Sequence, residues 1–367
     1  MWPRLEARPQ ASARMRWLSP LLAVLLTLLG GALLFAALGQ PPGQALRLYF
    51  LAPLSDLYGV SELLLKATPL MLIGVGLAAG FRAGVWNIGA EGQFIVGALF
   101  STAVALHVGD ARAPWALPVM VLAGALGGAL WAAVPAWLRD RFGTNEILVS
   151  LMLVYVAQLM ASWLIYGPWK DPGGYNFPQT RAFGDSALLP VLLEGTRLHA
   201  GFLLALALLV AGYVFLQRSF QGFQMQVGGQ APQAASYAGF SARRAIWVGL
   251  LAGGALAGVA GMTEVAGPMG QLTAQISAGY GFAAIIVAFV GRLHPVGIFL
   301  ASLLMALLFL GGEQAQQSMN LPSSISKVFQ GMLLFFLLAC DLFIGWRVRW
   351  EKRERRSPNG GWSWTHR

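Results

Sequence analysis

Between Gly80 and Phe94 the chain reads GFRAGVWNIGAEGQF, placing Arg82, Asn87, Glu91 and Gln93 among glycines in an otherwise apolar sequence. A charged side chain at the centre of a bilayer costs about 2.5–3.5 kcal/mol on insertion scales, so such a group faces protein or water. A polar, glycine-rich break between apolar runs either lines a path or lets helices approach closely. Asn87, Glu91 and Gln93 are therefore candidates for a translocation path or its cytoplasmic gate, with interhelical hydrogen bonding or snorkelling as the competing structural role. At 1.5 Å per residue, Glu91 lies about 7–8 Å past the start of a helix beginning near residue 86, close to its cytoplasmic end. Glu264 and Glu313 fall at the far ends of two later apolar runs and are candidates for an external entrance, with helix capping as the alternative. Asn145 and Glu146 suit the positive end of a helix dipole.

Enzyme chemistry has no comparable constellation. No lysine follows a glycine anywhere, which excludes a G-x-x-x-x-G-K-[ST] phosphate loop. His107, His199, His294 and His366 are scattered without H-E-x-x-H or paired metal spacing, and no G-x-S-x-G occurs. Cys340 is the single cysteine, so neither a disulfide framework nor a cysteine metal site is available. We expect no catalytic residue, no metal and no cofactor.

The elements that must position these residues are membrane helices. Only 11% of the 367 residues are charged and 57% are hydrophobic, and mean hydropathy is +0.62. Soluble domains carry about 25% charged residues, so that class is excluded. About 20 apolar residues cross a hydrocarbon core. Runs of suitable length lie near 17–38, 60–80, 86–106, 114–138, 145–167, 199–217, 245–267, 276–293, 295–312 and 325–346. The expectation is an all-α polytopic bundle of about ten spans, in which 86–106 and 276–293 could be broken or re-entrant. The run from Trp17 is too long for a signal-peptide core and reads as the first span.

The net charge of +10 is concentrated at the two ends, in a basic N-terminus (1–16) and a basic tail (347–367) flanking one membrane domain (17–346). That distribution places both termini in the cytoplasm, near anionic lipid, and argues against nucleic acid. With the N-terminus inside, Arg82, Arg139, Arg141, Arg218, Arg243, Arg244 and Arg292 all fall on the cytoplasmic side, as the positive-inside rule requires. Trp115, Trp137, Trp163, Trp247 and Trp346 fall near span ends. Spans 60–167 start outside and spans 245–346 start inside, each group with a polar or broken segment second, which is the pattern of an inverted repeat. Two connections are long: a turn-rich external loop (168–198) and a cytoplasmic loop (218–244). In the latter, Pro232 suits a helix start and Gly239 a C-terminal cap, and a two-turn helix between them would present Ala234, Ala235 and Ala238 as one small-residue face.

These motifs resemble the permease subunits of bacterial ABC importers for simple sugars, nucleosides and branched-chain amino acids. The matching stretches are GFRAGVWNIGAEGQF (80–94), FGTNEILVSLMLVYVA (142–157), GPWKDPGGYNFPQT (167–180), GGQAPQAASYAGFSARRA (228–245), GALAGVAGMTEVAG (254–267) and GYGFAAIIVAFVGRLHPVG (279–297). The NIGAEGQ form and the KDP-containing loop look most like the nucleoside branch. Gln226 departs from the family, where an arginine often precedes the fourth stretch.

The resemblance implies a multi-pass inner-membrane subunit that works with a separate ATPase, an extracytoplasmic substrate-binding protein and a second, different permease. It also implies that 228–245 is the segment coupling to the ATPase, with Gly229, Ala234, Ala235, Ala238 and Gly239 as its residues. The expected function is inward transport of nucleosides or related sugar-containing solutes by alternating access. Simple sugars and branched-chain amino acids are the alternatives within the family. Outside it stand a secondary transporter, which would need paired intramembrane carboxylates, and a membrane enzyme, which would need a buried nucleophile.

Overall fold

The computed structural model describes residues 2–8 and 12–351. Among them, nine helices are long and apolar enough to cross a membrane. The tenth expected span is different: 276–293 holds only an eleven-residue helix, Tyr280–Val290. At 1.5 Å per residue it extends about 16 Å, roughly half of a ~30 Å hydrocarbon core. The rest of that run is irregular and includes a left-handed Gly279.

The chain divides into two compact units, Met1–Gly31 with Gly331–Arg367, and Ala32–Gln330. In the first unit a strand β1 (Trp2–Ala7) pairs antiparallel with a strand β2 (Trp346–Glu351). Helix α1 (Ala13–Ala37) contributes its first part, and the Ser19 hydroxyl donates to Asp341. Residues 352–367, most of the expected basic tail, lie outside the described residues.

The second unit contains α2 (Pro42–Phe50), α3 (Leu57–Arg82), α4 (Ala90–Val108), α5 (Ala116–Phe142), α6 (Glu146–Tyr166) and α7 (Gly201–Arg218). It continues with α8 (Phe220–Gln230), α9 (Pro232–Tyr237), α10 (Ala242–Glu264), α11 (Tyr280–Val290) and α12 (Pro295–Met319), and the chain ends its spans with α13 (Ile325–Gly345). Polar residues begin these helices where sequence logic puts them. Asp56, Asn145, Ser219 and Ser241 each accept a backbone N–H of the first turn of α3, α6, α8 and α10.

Helices α3, α4, α5 and α10 form the core of this unit, and glycine sets how closely they approach. A Cβ on Gly97 of α4 would lie 2.2 Å from Gly258 Cα of α10, and one on Gly128 of α5 would lie 2.0 Å from the Gly254 carbonyl oxygen. Without an aqueous driving force between helices, such backbone contact is a main source of association. Leucines instead populate the exposed faces, as at Leu122, Leu126 and Leu130 of α5. Of the expected belt, Trp115, Trp137, Trp163 and Trp346 are exposed.

Candidate functional site

The polar residues of the opening motif are gathered at the start of α4. Asn87 and Gln93 are each 1% exposed and pair through both amide groups, Asn87 Nδ2 donating to Gln93 Oε1 at 2.8 Å and Gln93 Nε2 donating to Asn87 Oδ1 at 3.0 Å. Asn87 Oδ1 also accepts the Gly89 N–H at 3.1 Å. Glu91 is 3% exposed and points elsewhere. It accepts the Gly281 N–H at 2.6 Å, and Ser277 and the amides of Gly279 and Phe282 also hydrogen-bond it. Its carboxylate therefore caps the N-terminus of the short helix α11, where unpaired N–H groups and the helix dipole favour negative charge.

This cap ties the start of α4 to α11. Helix α11 runs from Glu91 to the tight Gly291–His294 turn that begins α12 at the arginine-rich end of the unit. Glu91 and that turn thus stand at the two ends of α11, about 16 Å apart. Three rings fill the interval: Phe81 lies 5.2 Å from both Trp86 and Phe289, and Trp86 lies 5.8 Å from Phe289. The loop 83–89 folds back beside α3 and α10, with Val85 packed among Ala132, Ala136 and Leu250.

At the arginine-rich end, charges fasten helix termini to one another. Arg82 donates from Nε to the Leu293 carbonyl and from Nη1 to the Leu216 carbonyl, each at 3.0 Å. It thereby joins the end of α3, the end of α7 and the α11–α12 turn. In that turn Arg292 and Leu293 hold left-handed φ values of 57° and 52°. Non-glycine residues there cost on the order of 1–3 kcal/mol each, so the conformation depends on its surroundings. His294 accepts the Val296 N–H, and burial, then the Arg82 charge, lowers its pKa. Glu146 pairs with Arg139 and accepts the Trp86 N–H at 3.2 Å, while Asn145 caps α6. Asp140 accepts from Arg243 at 2.7 Å and from Trp247 at 3.0 Å, linking α5 to α10.

The loop 218–244 forms two helices rather than one. In the second, α9, Pro232 occupies the first turn and Gly239 follows its end at φ 76°. The Phe240 N–H donates to the Ala235 carbonyl at 2.9 Å, as in a glycine-terminated C-cap. The expected alanine face is split. Ala234 and Ala238 are exposed, whereas Ala235 is 4% exposed and turned inward. In a 3.6-residue helix position 238 lies about 40° around the axis from 234, whereas 235 lies about 100° from it. Tyr237, 94% exposed, accompanies the outward side. Gly229, at the end of α8, meets the α3–α4 loop: a Cβ there would lie 2.1 Å from the Arg82 carbonyl oxygen. A groove of about 470 Å³ opens alongside, lined by Val85, Arg139, Gln224, Met225, Ala235 and Arg244 among others.

The opposite end carries a second charge cluster that brings Glu264 and Glu313 together. Lys66 pairs with Glu313 at 2.8 Å, and Arg197 Nε donates to Glu62 at 3.0 Å. Glu264 lies within electrostatic reach of Lys66, Arg197, Glu313 and Glu62. It is followed by a five-residue π-helical segment, Val265–Met269. The 178–189 stretch runs along the segment after it, through bonds from Thr180 N to Leu272 O (2.9 Å), Phe183 N to Gly270 O (2.8 Å) and Leu189 N to Ala266 O (2.7 Å). His199 fills the space left by Gly201 and Gly267, and burial lowers its pKa to about 4, so it is neutral at physiological pH.

Sequence reasoning missed Arg82 as a clamp, and it missed Glu62, Lys66 and Arg197. Glu62 and Lys66 stand four residues apart in an apolar helix, a signal that intramembrane charge alone provides. The left-handed pair Arg292-Leu293 has no glycine to announce it.

Residues 59–338 match the family described as the permease component of branched-chain amino acid transport systems. Among curated proteins, the chain is 38% identical to the glucose ABC transporter permease protein TsgB13 of Haloferax volcanii, over 97% of this chain and 96% of that protein. It is 30% identical to the guanosine ABC transporter permease protein NupP of Bacillus subtilis, over 87% and 92%. It is 28% identical to the nucleoside ABC transporter permease protein NupB of Lactococcus lactis, over 87% and 90%. No solved structure matches the chain.

Proposed function

The chain belongs to the branched-chain amino acid transport permease family as an ABC transporter permease, and on that premise we propose that it imports nucleosides or related sugar-containing solutes. It is a multi-pass membrane protein and a transport component rather than an enzyme, and its family implies ATPase and substrate-binding partners. The observation that carries the solute class is that the glucose, guanosine and nucleoside permeases it resembles each act on a molecule bearing a sugar or sugar ring. Simple sugars alone are the second reading, favoured by the 38% identity to the glucose permease.

The proposed mechanism is alternating access with the arginine-rich end in the cytoplasm. Asn87, Glu91 and Gln93 serve as path or gate because Asn87 and Gln93 fasten the start of α4 and Glu91 joins it to α11. Gly229, Ala234, Ala235, Ala238 and Gly239 serve ATPase coupling. Ala234 and Ala238 face outward for a partner, Ala235 seats α9, and Gly229 touches the loop that leads to Asn87. Glu264 and Glu313 line the external entrance. A permease shifts state only for ligands that bind its two states unequally, and ATP closure of the partner and docking of the loaded binding protein supply that difference. The transmembrane unit is a heterodimer with a second permease. Calorimetry of the binding protein that works with this permease tests the solute class. Nucleosides or sugars should bind at least a hundredfold more tightly than leucine or valine, and the reverse order would reject the reading.

A further inference from the structure

Helix α6 has two faces of different kinds. Its buried stripe, Ser150, Val154, Ala157, Ala161 and Ile165, repeats at intervals of three and four residues and seats the opening motif of α4. A Cβ on Gly89 would lie 2.7 Å from the Ser150 Cβ, and one on Gly92 would lie 3.0 Å from the Val154 Cα. The opposite face points out of the chain. Leu148, Met152, Tyr155, Leu159, Trp163 and Tyr166 are each more than half exposed, and Gln158 is exposed with them.

Tyr155 and Gln158 do not suit lipid. With 21 residues, α6 is about 30 Å long and crosses a ~30 Å hydrocarbon core once, so its midpoint falls near the middle of that core. Both residues stand within about 3 Å of that midpoint along the axis. A phenol hydroxyl and an amide find no hydrogen-bonding partner in hydrocarbon. With the half-buried Ser162, whose hydroxyl donates to the Gln158 carbonyl at 2.9 Å, they form a polar stripe at i, i+3 and i+7. Other exposed faces differ. Helix α5 presents Val119, Leu122, Leu126, Leu130 and Val134, and α7 presents Leu203, Ala207, Val210, Ala211 and Val214, with no exposed polar side chain between them.

We infer that the face of α6 around Tyr155, Gln158 and Ser162 is the surface on which the second permease packs, with a helix of that subunit supplying hydrogen-bonding side chains at mid-membrane. Polar side chains hydrogen-bond across membrane helices in this way. The ATPase and the binding protein act from the two sides of the membrane, so only a partner that itself spans the bilayer reaches this stripe. Through the thickness of one helix, that partner would bear on Gly89 and Gly92 and so on the start of α4. This inference rests on the proposed pairing with a second permease and assigns the surface that pairs.

The test uses the complete transporter in vesicles. The photoreactive residue p-benzoylphenylalanine replaces Tyr155, Gln158 or, as a lipid-facing control, Leu126 in turn, and adducts formed on irradiation are identified by mass. Positions 155 and 158 should join this chain to the second permease at least fivefold more than position 126 does. Adducts between two copies of this chain, adducts with lipid alone, or equal yields at the three positions would overturn the assignment. A second measurement is the amount of second permease that copurifies with this chain in detergent. Gln158→Leu should lower it about threefold or more, as for loss of a neutral hydrogen bond, whereas Leu126→Ala should change it less than twofold. Equal behaviour of these two variants would also overturn the surface, and the photochemistry decides alone if Gln158→Leu fails to accumulate. A second permease that does not copurify even with the wild-type chain would instead overturn the pairing beneath the inference.

Discussion

At the scale of single residues, the start of α4 is a saturated polar junction. Asn87 and Gln93 satisfy each other's amides, and Glu91 supplies the acceptor for the first N–H groups of α11. The cost of disturbing it follows from what would be left behind. Asn87→Ala strands the Gln93 side chain and the Gly89 N–H in a buried site, and each orphaned group costs about 1–3 kcal/mol. We expect Asn87→Ala to reduce uptake about tenfold or more, and Glu91→Gln to reduce it further because an amide offers one acceptor where the carboxylate has two. Uptake measured at matched membrane abundance checks both. Normal transport by the two variants would remove these residues from the path or gate.

At the scale of elements, a chain of contacts runs from the outward-facing α9 to α11. Helices α8 and α9 meet the α3–α4 loop at Gly229, that loop leads to Asn87 and Glu91, and Glu91 holds α11. Gly228 and Gly229 separate this contact from mere helix content, because a Cβ at Gly228 meets nothing within 4 Å whereas one at Gly229 meets the Arg82 carbonyl oxygen at 2.1 Å. Overpacking of that kind costs about 1–3 kcal/mol. Gly228→Ala should therefore preserve solute-stimulated ATP hydrolysis, and Gly229→Ala should lower it about fivefold or more; equal behaviour of the two variants would break the proposed link. Much of this was legible in sequence. Apolar length located the nine long helices among its ten expected spans, Asn145 announced the cap of α6, and Pro232 and Gly239 bracketed α9. Depth was not legible, because a hydropathy run cannot distinguish a full span from an eleven-residue helix with an irregular lead-in, as in 276–293. Nor could it show that Glu91 faces an element 190 residues away. The splitting of Ala235 from Ala234 and Ala238 was legible in helical periodicity, yet a count of small residues concealed it.

At the scale of the whole molecule, the chain offers no nucleotide-binding loop, and among the described residues no group of three or more metal-ligating side chains. Its acidic residues in the membrane helices are either held by defined donors, as Glu91 and Glu62 are, or gathered at the end opposite the arginines. Its family, as that of ABC transporter permeases, implies an ATPase partner as the source of energy. The most direct measurement is uptake of labelled uridine and glucose into vesicles holding this permease with its ATPase, its binding protein and the proposed second permease, with each component left out in turn. The account predicts that accumulation of at least one of the two requires ATP and falls to background when the ATPase or the binding protein is omitted. Accumulation that persists without the ATPase and instead follows an imposed proton or sodium gradient would contradict it.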